Sequence, residues 1–137
     1  MKAKAEKART PRHPVPHDDA CPTCGKAMVV SMEELPTIVN GERVLVVGVE
    51  HLHCPSCGEI VLRHEDARAL QEHGIEAYRQ QHGLLTAKEI RALRQQLGLT
   101  QAQLATLLQL GLNTVSRWES GRNVQSRALD LLLKLLR

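Results

Sequence analysis

The sequence predicts an α+β fold: a small N-terminal β domain, a connecting helix and an all-α C-terminal domain. Three observations predict it. Two Cys-x-x-Cys-Gly turns bracket a segment with strand character, and helical periodicity runs through the remainder. Aromatic residues are almost missing, with no Phe and only Tyr78 and Trp118 among 137 residues. A small domain without aromatics buries little apolar area and needs a metal, a disulfide or a partner chain. That length has room for one ordinary domain or two small ones.

Residues 1–20 read as a Lys-, Ala- and Pro-rich disordered arm with Pro11, Pro14 and Pro16. A floppy tail and a basic arm touching DNA phosphate are both compatible with it. Lacking an apolar stretch, the arm is no secretory signal, and no run approaches the ~20 apolar residues of a membrane span. A cytoplasmic protein is expected, where reduced thiols favour metal binding over disulfides.

Residues 21–64 read as a β domain. The runs Leu35–Val39 and Glu42–Val49 flank Asn40-Gly41, a pair suited to a type I′ turn because both central residues need positive φ. Glu59–Leu62 reads as a further strand. Residues 65–83 read as a linker helix, with Ala67, Leu70, Ile75 and Tyr78 on one face. Gly74 interrupts it, and Gly83 is a stop.

Residues 84–137 hold four more helices. Thr86 and Glu89 form a capping box, after which Ile90, Leu93 and Leu97 recur at helical spacing until Gly98. Thr100 caps a second helix carrying Leu104, Ala105 and Leu108. A short helix spans about Asn113 to Ser120, stopped by Gly121, and a last one starts near Ser126. In that last helix Leu129, Leu132, Leu133 and Leu136 form one apolar edge, and Leu131 and Leu135 a second. Either the second edge meets another chain, giving a homodimer, or the whole helix is buried.

Charge separates the regions. Residues 1–20 carry five Lys/Arg against three Asp/Glu, residues 21–83 five against nine, and residues 84–137 eight against three. A basic end fits nucleic acid, and an acidic middle can face a basic partner.

Cys21-Pro22-Thr23-Cys24-Gly25 and Cys54-Pro55-Ser56-Cys57-Gly58 are paired knuckles. Four thiolates from two such turns suit the tetrahedral preference of Zn²⁺, and a hairpin filling the gap is what a zinc ribbon looks like. Backbone amides freed by each Gly can donate to the sulfurs. Four Cys leave no open position for water, so one structural zinc is expected and a hydrolase or nuclease is not. A redox dithiol is the competing reading of a single knuckle, and the equivalence of the two argues against it. His51 and His53, next to Cys54, are read as ordinary strand residues, as are His17 and His64 as ordinary positions.

The segment from Gln101 to Glu119 carries the DNA argument. Its two short helices present Leu104, Ala105, Leu108, Leu112, Val115 and Trp118 as the apolar set, leaving Asn113, Thr114, Ser116 and Arg117 free to face a groove. Asn113 and Arg117 lie four apart on one face. Asn pairs with adenine through N6 and N7, and Arg with guanine through O6 and N7. Gln101 can meet a phosphate at the start of the first helix. The structural alternatives are an N-cap for Asn113 and a salt bridge for Arg117. Trp118 is read as core and Glu119 as half of a local ion pair.

Gln101, Leu104, Ala105, Val115, Ser116, Arg117, Trp118, Glu119 and Gly121 resemble the Xre/Cro-CI family of helix-turn-helix repressors. With two knuckles, a hairpin and a linker helix ahead of it, the chain from about residue 21 to residue 137 is similar to the MqsA family of antitoxins, with its YgiT-type zinc finger. The resemblance implies zinc on Cys21, Cys24, Cys54 and Cys57, base reading by Asn113 and Arg117, and a homodimer on a palindromic DNA operator. It also implies neutralisation of a ribonuclease toxin by the zinc domain and repression of the chain's own operon. A stand-alone zinc-containing repressor with no toxin is the alternative. The chain departs from that family in its first twenty residues. It also has Gln109 and Leu110 where the turn before the reading helix is usually Gly-rich, so Gly111 is expected to take the left-handed conformation.

Overall fold

A computed structural model describes residues 20–137; the arm expected over 1–20 otherwise lies outside the described residues. The fold is α+β, with short antiparallel strands first and helices after them. The strands are β1 (Val29–Ser31), β2 (Leu35–Val39), β3 (Glu42–Val46), β4 (His51–His53) and β5 (Ile60–Val61). The helices are α1 (His64–Gln81), α2 (Ala87–Gln96), α3 (Gln101–Leu107), α4 (Thr114–Glu119) and α5 (Arg127–Leu135).

The strands form two sheets, a three-stranded one ordered β1-β4-β5 and the β2–β3 hairpin. Asn40 and Gly41 close the hairpin with φ of 48° and 79°, as the type I′ turn requires. Strand β3 stops at Val46, short of the expected Val49, and β5 is two residues rather than four. Leu35, Val39, Val44 and Val46 face inward, whereas Ile38 and Leu45 face solvent.

Helix α1 lies on the hairpin, where Ile75 packs with Val39 and Val44 and Val124 joins from the C-terminal half. Gly74 is the reason the helix can sit there. It is buried, and a Cβ at that position would overlap the Thr37 methyl. The residue that weakens the helix in the sequence is what lets it approach the strand.

The C-terminal core joins Leu85, Ile90, Leu93, Leu104, Ala105, Val115, Trp118 and Leu133. Thr86 with Glu89, and Thr100 with Gln103, form complete capping boxes at the starts of α2 and α3. Ser126 caps α5 through the Leu129 amide. Along α5, Leu133 is fully buried, while Leu131, Leu132 and Leu135 are exposed, Leu135 by 81%. The helix is therefore not buried all round.

Helices α1 to α4 all end in the same paired bonds. The amide one residue past the cap bonds two residues into the helix, and the next amide bonds one residue deeper. Such Schellman ends place the residue after the cap in the left-handed region. Gly83, Gly98 and Gly121 fill three of these positions, and Gln109, at φ 57°, fills the fourth. The expectation that Gly111 takes this conformation is thus corrected. Gln109 donates to the Thr106 carbonyl and Leu110 to the Ala105 carbonyl, at 3.0 and 2.8 Å, so the geometry of α3 selects the position. A left-handed non-glycine residue costs about 1 kcal/mol. Gln109→Gly is expected to raise the thermal midpoint by about 3 °C, checked by calorimetry; an unchanged or lower midpoint would show that Gln109 is unstrained.

Asp130, in the first turn of α5, is buried. Its Oδ1 accepts from the Leu85 amide at 2.7 Å and from Gln125 Nε2 at 3.1 Å, and its Oδ2 meets Lys134 Nζ at 2.8 Å. Burial pushes its carboxyl upward most strongly, yet Lys134, the Leu85 amide and Gln125 together hold it below the ordinary 3.8. A folded-state value below the unfolded one stabilises the protein above about pH 4, and this contribution is lost as pH falls through the folded value. The urea midpoint is expected to drop as pH falls from about 5 through the folded-state value, which lies below 3.8, and to drop less in Asp130→Asn. Equal acid sensitivity in both proteins would remove Asp130 from the account.

Candidate metal centre and candidate nucleic-acid interface

The two knuckles are near copies of each other. Cys21 donates its amide to the Lys26 carbonyl and accepts from the Gly25 amide, both at 2.8 Å; Cys54 does the same with Glu59 and Gly58 at 2.9 Å. Gly25 and Gly58 have φ of 75° and 79°, which lets each turn close. The four Sγ atoms lie within 4.8 Å of one another, with Cys21 to Cys57 at 3.4 Å and Cys24 to Cys54 at 3.5 Å. Tetrahedral zinc at ~2.3 Å from each sulfur needs sulfurs about 3.8 Å apart. The cluster brackets that spacing and offers four soft donors, so its residues fit such an ion.

Each sulfur also meets backbone amides. Those of Cys57 and Ser56 donate to Cys54, and those of Cys24 and Thr23 to Cys21. The Cys57 amide is the strongest influence on Cys54, whose thiol is pulled down to about 6 against the effect of burial. Cys21 also falls, its burial being outweighed by the amides and neighbouring thiols. At Cys57 the Glu59 amide pulls downward, but Cys21, burial and the other two sulfurs push the thiol up to about 12. Cys24 is raised as well, chiefly through Cys54 and burial acting against the Lys26 amide. Four sulfurs this close compete for protons, and a divalent cation relieves that competition. His51 is buried and its Nδ1 meets the Val49 carbonyl at 2.9 Å, so its role is local.

The C-terminal helices form a helix-turn-helix, with α3 and α4 packed through Leu104, Ala105 and Val115. Asn113 and Arg117 are exposed, Gln101, Thr114 and Ser116 half-buried. The Arg117 amide bonds the Asn113 carbonyl at 3.1 Å, which puts the two residues one helical turn apart. Asn113 occupies the N-cap position without making a side-chain cap bond. Among the described residues Arg117 has no carboxylate partner; Glu119 takes that role instead. The Glu119 carboxylate is 1% exposed and holds Arg94 in a two-pronged contact at 2.9–3.2 Å, with Arg91 at 3.4 Å. Helix α4 is thus clamped to α2.

Residues 19–137 match the family described as the antitoxin component of bacterial toxin-antitoxin system, MqsA. The chain belongs to the MqsA antitoxin family. One similar relative is the Escherichia coli protein named Antitoxin MqsA, 27% identical over 119 residues, which is 85% of this chain and 90% of that protein. No helix among the described residues of this MqsA-family chain is long and apolar enough to cross a membrane.

Two features escaped the sequence reading. Leu112, grouped there with the apolar set, is 67% exposed, and its place in the core is taken by Leu110. Arg79, for which the sequence offered no role, is fully buried. Its Nε donates to Gln125 Oε1 at 3.1 Å, and its Nη2 to the carbonyls of Trp118 and Asn123, both at 3.0 Å. The guanidinium therefore holds α1 against the end of α4. The available signal was its position four residues after Ile75, on the apolar face of the helix.

Proposed function

We propose that this antitoxin neutralises a ribonuclease toxin through its zinc-bearing β region and represses its own operon through the helix-turn-helix. In this reading residues 21–64 form the zinc domain, 65–83 the connecting helix and 84–137 the DNA-binding and dimerising domain. One zinc ion held by Cys21, Cys24, Cys54 and Cys57 has a structural role, because four thiolates leave no open position. The protein acts in the cytoplasm as a regulator rather than an enzyme.

The observation that carries the reading is the α4 surface. Asn113 and Arg117 are exposed side chains on a helix whose opposite face is fixed by Val115, Trp118 and the Arg94–Glu119 clamp. A rigid helix with free hydrogen-bonding groups is what base reading requires. Asn113 is assigned to adenine and Arg117 to guanine, with Thr114 and Ser116 beside them and Gln101 on a phosphate. The exposed Leu131 and Leu135 edge of α5 supports a homodimer, and two copies read a palindrome.

Arg117→Ala is expected to weaken operator binding by about 1–3 kcal/mol and to relax base choice at one position. Selection from random duplexes with both proteins checks this; unchanged affinity and preference would refute the assignment. The toxin arm is tested by purifying tagged protein from cells expressing the neighbouring gene. A stoichiometric ribonuclease supports it, and the absence of any partner favours a stand-alone repressor.

A further inference from the structure

Leu112 stands at the tip of the helix-turn-helix with nothing over it. The Thr114 amide bonds the Gly111 carbonyl at 3.0 Å, so residues 111–114 form a closed turn with Leu112 and Asn113 at its centre. Asn113 has φ −90° and ψ 0°, the values of the second central residue of a type I turn. The turn is therefore a fixed platform. It holds Leu112 directly before the residue assigned to adenine and carries it 67% exposed.

Packing does not account for this leucine. Leu108 and Leu110 pack against the domain core from the same connection, and Leu112 belongs to neither core cluster. Of the exposed residues that follow it, Asn113 is polar and Arg117 cationic, and residues 84–137 hold eight basic and three acidic residues. Such surroundings suit a DNA groove and oppose an apolar protein interface. Within the major groove one base alone offers an apolar group, the C5 methyl of thymine.

We infer that Leu112 is a specificity residue that packs on a thymine methyl next to the base read by Asn113. The inference rests on the operator-reading function proposed above and adds a residue and a base to it. A methyl shielded from water on both partners contributes about fourfold in affinity at each half-site.

The test uses the full zinc-loaded chain and its selected duplex. Each thymine of a half-site is replaced in turn by deoxyuracil, which lacks only the methyl. The unmodified protein is expected to lose about fourfold at one thymine beside the Asn113 contact. Leu112→Ala is expected to lose the same amount on thymine DNA and nothing further on the deoxyuracil duplex, a closed double-mutant cycle. Sequence-selective binding with no methyl effect, or equal methyl effects in both proteins, overturns the inference alone. Binding without sequence preference overturns the operator reading together with it. A change of oligomeric state in Leu112→Ala also overturns it, since the leucine then belongs to a contact between copies.

Discussion

In the zinc-bound form proposed above, removing the metal, by chelation or by Cys54→Ser, is expected to unravel the knuckles and the three-stranded sheet while α1 to α5 and the β2–β3 hairpin stay folded. The strands of that sheet are three, three and two residues long. Val29, Val30 and Ile60 are exposed, so little apolar burial holds the strands without the cysteine cluster. Sheets of this size do not persist on their own. A structural zinc contributes about 10–16 kcal/mol at neutral pH, far more than the sheet can supply. The hairpin differs because Val39 and Val44 are packed on Ile75 of α1. The measurement is an amide NMR spectrum with and without chelator. Loss of dispersion confined to residues 20–34 and 47–62 is the expected outcome. Melting of the helices at the same chelator concentration would show that the metal centre supports the whole chain, and an unchanged spectrum would deny the metal a structural role.

Arg79→Met is expected to cost about 3–5 kcal/mol, the range for removing one partner from a buried charged network. Its guanidinium is 0% exposed, and its loss leaves the carbonyls of Trp118 and Asn123 and the Gln125 amide oxygen without that donor. Burial, the main influence on Arg79, lowers its pKa, while Glu76 and Asp130 favour the charged form. Arg79→Lys keeps the charge but lacks the planar fork that reaches several acceptors, so it is expected to restore only part of the loss. Thermal unfolding reads the difference, with a fall of at least about 10 °C for Met. A fall below about 2 °C would mean that water replaces the guanidinium at no cost.

The features legible in the sequence are those settled within a few residues. Thr86 with Glu89 satisfies helix amides three positions apart, and Asn40-Gly41 needs only its own backbone angles. The knuckles repeat one five-residue pattern, and its recurrence carries the metal centre. Arg79 was not legible, because Gln125, its partner, lies 46 residues away and no local rule connects them. Gln109 was missed for the opposite reason. Glycine preference pointed to Gly111, but helix length decides which residue follows the cap, and α3 ends at Leu107. Leu112, expected among the apolar set, faces solvent because it lies in the turn between α3 and α4, where helical packing does not fix a side chain's direction.

The bonds at the end of α1 also decide how the molecule can be held. Beyond Arg79, the His82 carbonyl accepts from Arg127, and the Gly83 carbonyl from Lys134 at 2.6 Å. The same end of α1 also grips the hairpin, with His82 Nε2 2.7 Å from Glu42. The C-terminal half of α1 therefore joins the hairpin and the C-terminal helices at one place. The hairpin cannot swivel independently of the C-terminal helices while these bonds persist. On the function proposed above, a partner seated on the hairpin is carried at one set angle to a duplex held at α4, and whether it clears that duplex or collides with it is decided before either one is met.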